Sequence, residues 1–116
     1  MSPVASLSLG FGTAGFESRS AAVRSVREAL DVGYRHLDTA QQYNHSAAVG
    51  EAIAESDVPR EEIFVATKLH SKNLTHDAVL TETRAILDRL GLETIDLLYV
   101  HWPAHTYDPE ETFGAM

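Results

Sequence analysis

Four residues in this 116-residue sequence have the types and positions needed to move a proton to or from a carbonyl oxygen: Asp38, Tyr43, Lys68 and His101. Asp38, Lys68 and His101 close short apolar runs that read as strands, and Tyr43 stands five residues beyond Asp38. A free tyrosine has a pKa of about 10 and exchanges protons poorly near neutrality. A lysine ammonium within hydrogen-bond reach favours the phenolate and lowers that value. A carboxylate beside the lysine keeps the amine charged and aimed. An imidazole on the next strand shares a hydrogen bond with the substrate oxygen. None of the four is an electron source, so a redox reaction here needs a bound hydride donor.

The elements that must position these groups alternate along the chain. Leu7 to Phe11 is short and apolar, ends at Gly12 and reads as a strand. Ser18 or Ser20 caps a helix whose apolar positions Ala22, Val23, Val26, Ala29 and Leu30 follow helical spacing, with Gly33 just past its end. Tyr34 to Thr39 reads as a second strand, and a second helix runs from about Ser46 to Glu55 with Val49, Ala52 and Ile53 on one face. Ile63 to Thr67 is a third strand, rich in β-branched and aromatic residues. Thr75 caps a third helix with Val79, Leu80, Thr83, Ile86, Leu87 and Leu90 facing inward and Gly91 closing it. Ile95 to Val100 is a fourth strand. Tyr107 to Met116 opens another helical pattern, with Asp108 as cap and Pro109, Glu110 and Glu111 in its first turn.

Such alternation predicts an α/β fold of parallel strands. Its ligand site lies at the C-terminal strand ends, where Asp38, Lys68 and His101 fall. Side chains alternate along a strand, so Lys68 shares a face with Ala66 and Phe64, His101 with Tyr99 and Leu97, and Asp38 with His36. Four strands fit either a small doubly wound sheet or half of a (β/α)8 barrel, whose full form takes about 250 residues. Periodicity does not choose between them.

Composition narrows the classes. Hydrophobic residues make up 44% and charged residues 22%, the balance of an ordinary folded domain. The chain has no Cys, which excludes disulfides, thiolate metal sites and Cys nucleophiles. Seventeen acids against nine Lys and Arg give a formal charge of −8, the opposite of a nucleic-acid binder. Only Lys68 and Lys72 are lysines, a pattern shared by proteins kept soluble in high salt and by many ordinary enzymes. No apolar run is long enough for a membrane span, and Met1 to Gly10 lacks the pattern of a secretory leader. The expected location is the cytoplasm.

Each candidate also has a plainer reading. Asp38 alone is a cap or loop carboxylate as readily as a catalytic one, Lys68 a snorkelling surface lysine, and Tyr43 a packed loop aromatic. Their convergence on neighbouring strand ends favours the chemistry. His101 and His105 are four residues apart, but Pro103 between them speaks against a helical metal pair, so no metal site is expected. His36 reads as a hydrogen-bonded core histidine, and His45, His70 and His76 as loop or helix-start residues. Gly12 and Gly15 lack dinucleotide-fingerprint spacing.

The sequence resembles the aldo-keto reductases over nearly its whole length. Gly33-Tyr34-Arg35-His36-Leu37-Asp38-Thr39-Ala40, followed by Tyr43 and Val49-Gly50, is similar to the family signature around its aspartate and tyrosine. Ala66-Thr67-Lys68 resembles the lysine strand, Leu98-Tyr99-Val100-His101-Trp102-Pro103 the histidine strand, and Leu9-Gly10-Phe11-Gly12-Thr13 the opening strand and turn. The resemblance implies a (β/α)8 barrel that binds NADPH without a Rossmann domain, with NADH left open. It implies Tyr43 as general acid/base, Lys68 lowering its pKa, Asp38 paired with Lys68, and His101 orienting the carbonyl. It places Gly12, Thr13 and Asp38 against the cofactor and Trp102 along the pocket, for reversible reduction of a small aldehyde or ketone to an alcohol.

Some positions depart from the family pattern. Asn44-His45-Ser46 stands where an Asn-Glu pair usually follows the tyrosine, with Ser46 expected to cap the second helix. Ala14 and Gly15 replace a bulky aromatic, widening one wall unless Phe16 supplies the ring. The family is at least twice as long, so the chain reads as the N-terminal portion of a barrel, about four strands and three helices. Negligible turnover by itself and self-association through exposed edges are then expected. Two other classes remain: a non-catalytic, cofactor-sensing barrel piece, and a metal-assisted hydrolase using Asp38, His36 and His101.

Overall fold

The computed structural model describes residues 9–116. Four strands, β1 (Gly10–Gly12), β2 (His36–Asp38), β3 (Phe64–Leu69) and β4 (Leu97–Val100), form one parallel sheet in the order β1-β2-β3-β4. Between and after them run α1 (Arg19–Asp31), α2 (Ser46–Glu55), α3 (His76–Leu90) and α4 (Pro109–Ala115). Crossovers between parallel strands are right-handed, so strands laid down in sequence put every connecting helix on one face. A doubly wound sheet would reverse its strand order and carry helices on both faces. The strand order therefore selects the barrel-type arc. Neighbouring helices pack in chain order, α1 on α2, α2 on α3 and α3 on α4.

The core sits between that helix layer and the sheet. Val26, Leu30, Leu37, Val49, Ile53, Val65, Leu69, Val79, Ile86 and Leu90 are all buried in one cluster. Strand β3 is buried throughout, with Val65 and Leu69 on the helix side and Phe64, Ala66 and Lys68 on the other. Ser18 caps α1 by accepting from the Ala21 amide, Thr75 caps α3 through Ala78, and Asp108 caps α4 through Glu110 and Glu111. Helix α3 ends at Gly91, whose φ of 67° closes the last turn where a side chain would be strained.

Several elements differ in detail from expectation. Leu7 and Ser8, read as the start of the first strand, lie outside the described residues, and β1 extends to Gly12. The second strand is shorter than Tyr34 to Thr39, because Tyr34 and Arg35 finish α1: the Tyr34 amide donates to Ala29 O and the Arg35 guanidinium to Leu30 O. Strand β4 begins at Leu97 because the Asp96 carboxylate takes the Val65 amide (2.7 Å) in place of a backbone partner. Strand β3 continues past Thr67 to Leu69, which puts Lys68 inside the ladder. Leu80 faces solvent at 52% exposure, since it stands one residue off the stripe of Val79, Ile86 and Leu90. Ser46 does not cap α2. His45 is the N-cap and makes no side-chain cap bond, while Ser46 is the first helical residue.

Candidate active site

The register of the sheet brings the C-terminal strand ends together. Gly12 lies beside Asp38, Asp38 beside Ala66, and Lys68 beside Tyr99. The 3-10 turn Gln41–Tyr43 then carries Tyr43 over the sheet end, and Asn44 closes it in a left-handed conformation (φ 60°). The His101 amide donates to Leu69 O, which sets His101 just beyond β4.

Lys68 is the centre of the arrangement. Its ammonium donates to Asp38 Oδ2 at 2.7 Å, to the Thr39 carbonyl at 2.9 Å and to the Tyr43 hydroxyl at 3.4 Å. The side chain is 8% exposed, so its charge is held almost out of water. Burial pulls the Lys68 pKa down, but the hydrogen bond and charge of Asp38 outweigh it, and the pKa ends above the ordinary lysine value. The ammonium also stands 4.9 Å from the Tyr43 ring centroid and 5.1 Å from that of Tyr99.

Asp38 is fixed from three directions. Its second oxygen accepts from the Tyr99 hydroxyl at 2.9 Å, and its backbone carbonyl accepts from both the amide (3.1 Å) and the hydroxyl (3.0 Å) of buried Thr13. Burial, then the carboxylate of Asp38, raise the Tyr99 pKa above the ordinary phenol value. Tyr99 is thus a second phenol in the site, beside the four residues expected from sequence. The signal was present: Tyr99 precedes His101 by two residues and shares its face.

His101 packs edge-on to Tyr43 at 5.6 Å between ring centroids, and Trp102 stacks on it at 5.8 Å with 9° between planes. Burial first, then the Lys68 charge, depress the His101 pKa below the usual imidazole value, so the ring is neutral at pH 7. Its Nδ1 is buried without a partner among the described residues, which leaves Nε2 to meet a ligand. Trp102 is 61% exposed at the rim. Gln41, also missed from sequence, staples the Tyr43 turn to the end of β3. Its Oε1 accepts from the His70 amide and Asn73 Nδ2, and its Nε2 donates to Glu82.

The structure therefore gathers Asp38, Tyr43, Lys68 and His101 and sets Gly12, Thr13 and Trp102 around them. His36 departs from expectation. Its Nε2 is buried with no hydrogen bond among the described residues, because its neighbours include the Phe64 ring, 5.0 Å away edge-on. Phe16 packs on His45 at 5.4 Å, closing the β1 and β2 loops against each other. Among the described residues no three His, Cys, Asp or Glu side chains gather as metal ligands would. No helix among them is long and apolar enough to cross a membrane.

A sequence model of the Aldo/keto reductase family matches residues 8–116. Methylglyoxal reductase DkgB of Salmonella typhi is 45% identical over 82 residues, which is 71% of this chain and 31% of that protein. The crystal structure of MGS-M4, an aldo-keto reductase from a Medee basin deep-sea metagenome library, superposes with a TM-score of 0.86 at 40% identity, covering 91% of this chain and 39% of that one. The Bombyx mori aldo-keto reductase AKR2E4, solved in complex with NADP, gives a TM-score of 0.80 at 36% identity over 90% of this chain and 36% of that one. The chain spans about a third of the length of the curated relatives it matches. The matched proteins are named as reductases, and nothing here supports the hydrolase or regulatory alternatives.

Proposed function

We propose that this chain, which belongs to the aldo/keto reductase family, carries the proton-transfer half of an NADPH-dependent carbonyl reductase acting on small aldehydes or ketones. One observation supports this above the rest. A buried ammonium lies between a carboxylate at 2.7 Å and a phenol at 3.4 Å, with an imidazole edge-on to that phenol.

Tyr43 is the proton donor in this reading. As its proton moves to a carbonyl oxygen, negative charge grows on the phenol oxygen beside the Lys68 ammonium, which is fixed in a poorly solvated place and needs no reorganisation. Asp38 keeps that ammonium aimed. Neutral His101 offers Nε2 to the substrate oxygen and orients it, and Trp102 forms part of the rim. The residues present also fit a cofactor at the strand ends. Gly12 is exposed, and a Cβ added there would meet no heavy atom within 4 Å, so a flat ring could approach its backbone closely. Gly12 and Asp38 would hold the nicotinamide end, with Thr13 bracing Asp38 from below, and the bound cofactor supplies the hydride.

The test is NADPH consumption by a hybrid in which this chain replaces the matching stretch of the Salmonella typhi methylglyoxal reductase. The hybrid is expected to oxidise NADPH with methylglyoxal. Tyr43→Phe in it should lower kcat about 100-fold or more with cofactor affinity kept, as loss of a general acid does. A folded hybrid without activity, or an equally active Tyr43→Phe form, overturns the reading.

A further inference from the structure

A cavity of about 550 Å³ opens between the Tyr43 turn, the start of α2, the turn after β3 and α3, and none of the four residues argued above lines it. The chain carries 17 acidic residues, yet none of them lines this cavity either. What lines it instead includes Asn44, Ser46, Ala47, His70, Asn73 and Arg89. Glu82 reaches this region from α3 but is engaged by Gln41 Nε2 at 2.7 Å and stays out of the lining.

Hydrogen-bond donors gather here with no carboxylate in the lining. Helix α2 starts at the cavity with no side-chain cap, and the amides of Ser46, Ala47 and Ala48 find no acceptor among the described residues. Ser46 is only 5% exposed, and its hydroxyl, in the cavity lining, makes no hydrogen bond among the described residues. The Ser46 oxygen itself still reaches solvent at the cavity, where it can pair with what enters. The Arg89 guanidinium has no carboxylate partner among the described residues. His70 Nδ1 accepts from the Lys72 amide at 3.1 Å, which leaves the ring proton on Nε2. Unpaired amides at a helix start, a guanidinium and a hydroxyl form a recognised donor set for a tetrahedral oxyanion.

We propose that this cavity binds a phosphate group, held by the uncapped start of α2, the Ser46 hydroxyl and the Arg89 guanidinium. The site stands apart from the carbonyl chemistry argued above, and its test needs no turnover. The probe is inorganic phosphate, titrated into the isotopically labelled 116-residue chain at constant ionic strength, with chloride as the control and glycerol phosphate as a parallel arm. Saturable shifts of the Ser46, Ala47 and Asn73 amides are expected with phosphate and not with chloride. Arg89→Gln should weaken binding about tenfold or more and Ser46→Ala about threefold, as losing a charge-assisted and a neutral hydrogen bond does. Tighter binding of the monoester would identify a phosphorylated metabolite as the ligand, and equal binding free phosphate. Non-saturable shifts, equal shifts with chloride, or unchanged affinity in a folded Arg89→Gln chain would overturn the site.

Discussion

Gly50 is the place where two helices touch backbone to backbone, and Gly50→Ala tests that contact with opposing effects of known size. The residue is buried within α2, and a Cβ added there would meet Leu90 O at 2.2 Å, Leu90 C at 2.6 Å and Leu90 Cα at 2.8 Å. In an unpacked helix the change would stabilise by about 1 kcal/mol, because alanine is the better helix former. Here the methyl needs roughly 3.5 Å from carbon neighbours, so α2 and α3 must part by about 1 Å. The obstructing atoms are main chain at the closing turn of α3, with no flexible side-chain end to swing aside. Overpacking of this kind costs up to about 3 kcal/mol. The clash therefore wins, with a net loss of about 2 kcal/mol. Urea unfolding followed by circular dichroism reads this directly. With a slope of about 1–2 kcal/mol/M for a small domain, the midpoint should fall by about 1–2 M at unchanged slope. A variant as stable as the parent, or more stable, would refute the close approach of the two helices.

Other expectations follow from single contacts. Tyr99→Phe removes the donor to Asp38 Oδ1 and should cost about 1 kcal/mol, because water reaches the partly exposed carboxylate and refills part of the loss; unchanged urea stability would show the bond is not formed. Thr112 is fully buried, donates to Leu74 O and accepts from the Asp108 amide, so isosteric Thr112→Val should destabilise by about 1–3 kcal/mol in the same assay. Equal stability there would remove the anchoring of α4. Lys68 and Tyr99 both have raised pKa values, so their contribution is complete below the unfolded values of 10.5 and 10.0 and is lost as pH rises through the folded ones. His101 is lowered, so its contribution is present above 6.5 and lost as pH falls through its folded value. Unfolding free energy measured against pH should fall at both ends, and Lys68→Met should flatten the alkaline limb; an unchanged alkaline slope would count against the buried ion pair.

Much of this arrangement is legible in the sequence because it is written in local signals. Ser18, Thr75 and Asp108 cap helices by their own chemistry, and the strand-end positions of Asp38 and Lys68 follow from two short apolar runs. The barrel-type arc is not local. It needed the strand order, which periodicity cannot distinguish from a doubly wound sheet. Tyr99 and Gln41 were missed because their roles depend on register, on which residue of the next strand or turn lies opposite. The expected cap at Ser46 fails for a similar reason: the left-handed Asn44 moves the start of α2 back, so His45 takes the cap position. His36 reads as a hydrogen-bonded histidine until the Phe64 ring is seen against it.

The three bonds made by the Lys68 ammonium have a consequence for reactivity. All three protons are committed, to Asp38, Thr39 and Tyr43, and the raised pKa keeps them in place at neutral pH. An amine with no free lone pair cannot add to a carbonyl carbon, so imine formation with an aldehyde is closed to it. Lys72, exposed on the turn after β3, makes no such side-chain hydrogen bonds among the described residues and is the lysine where carbonyl adducts of this chain should accumulate.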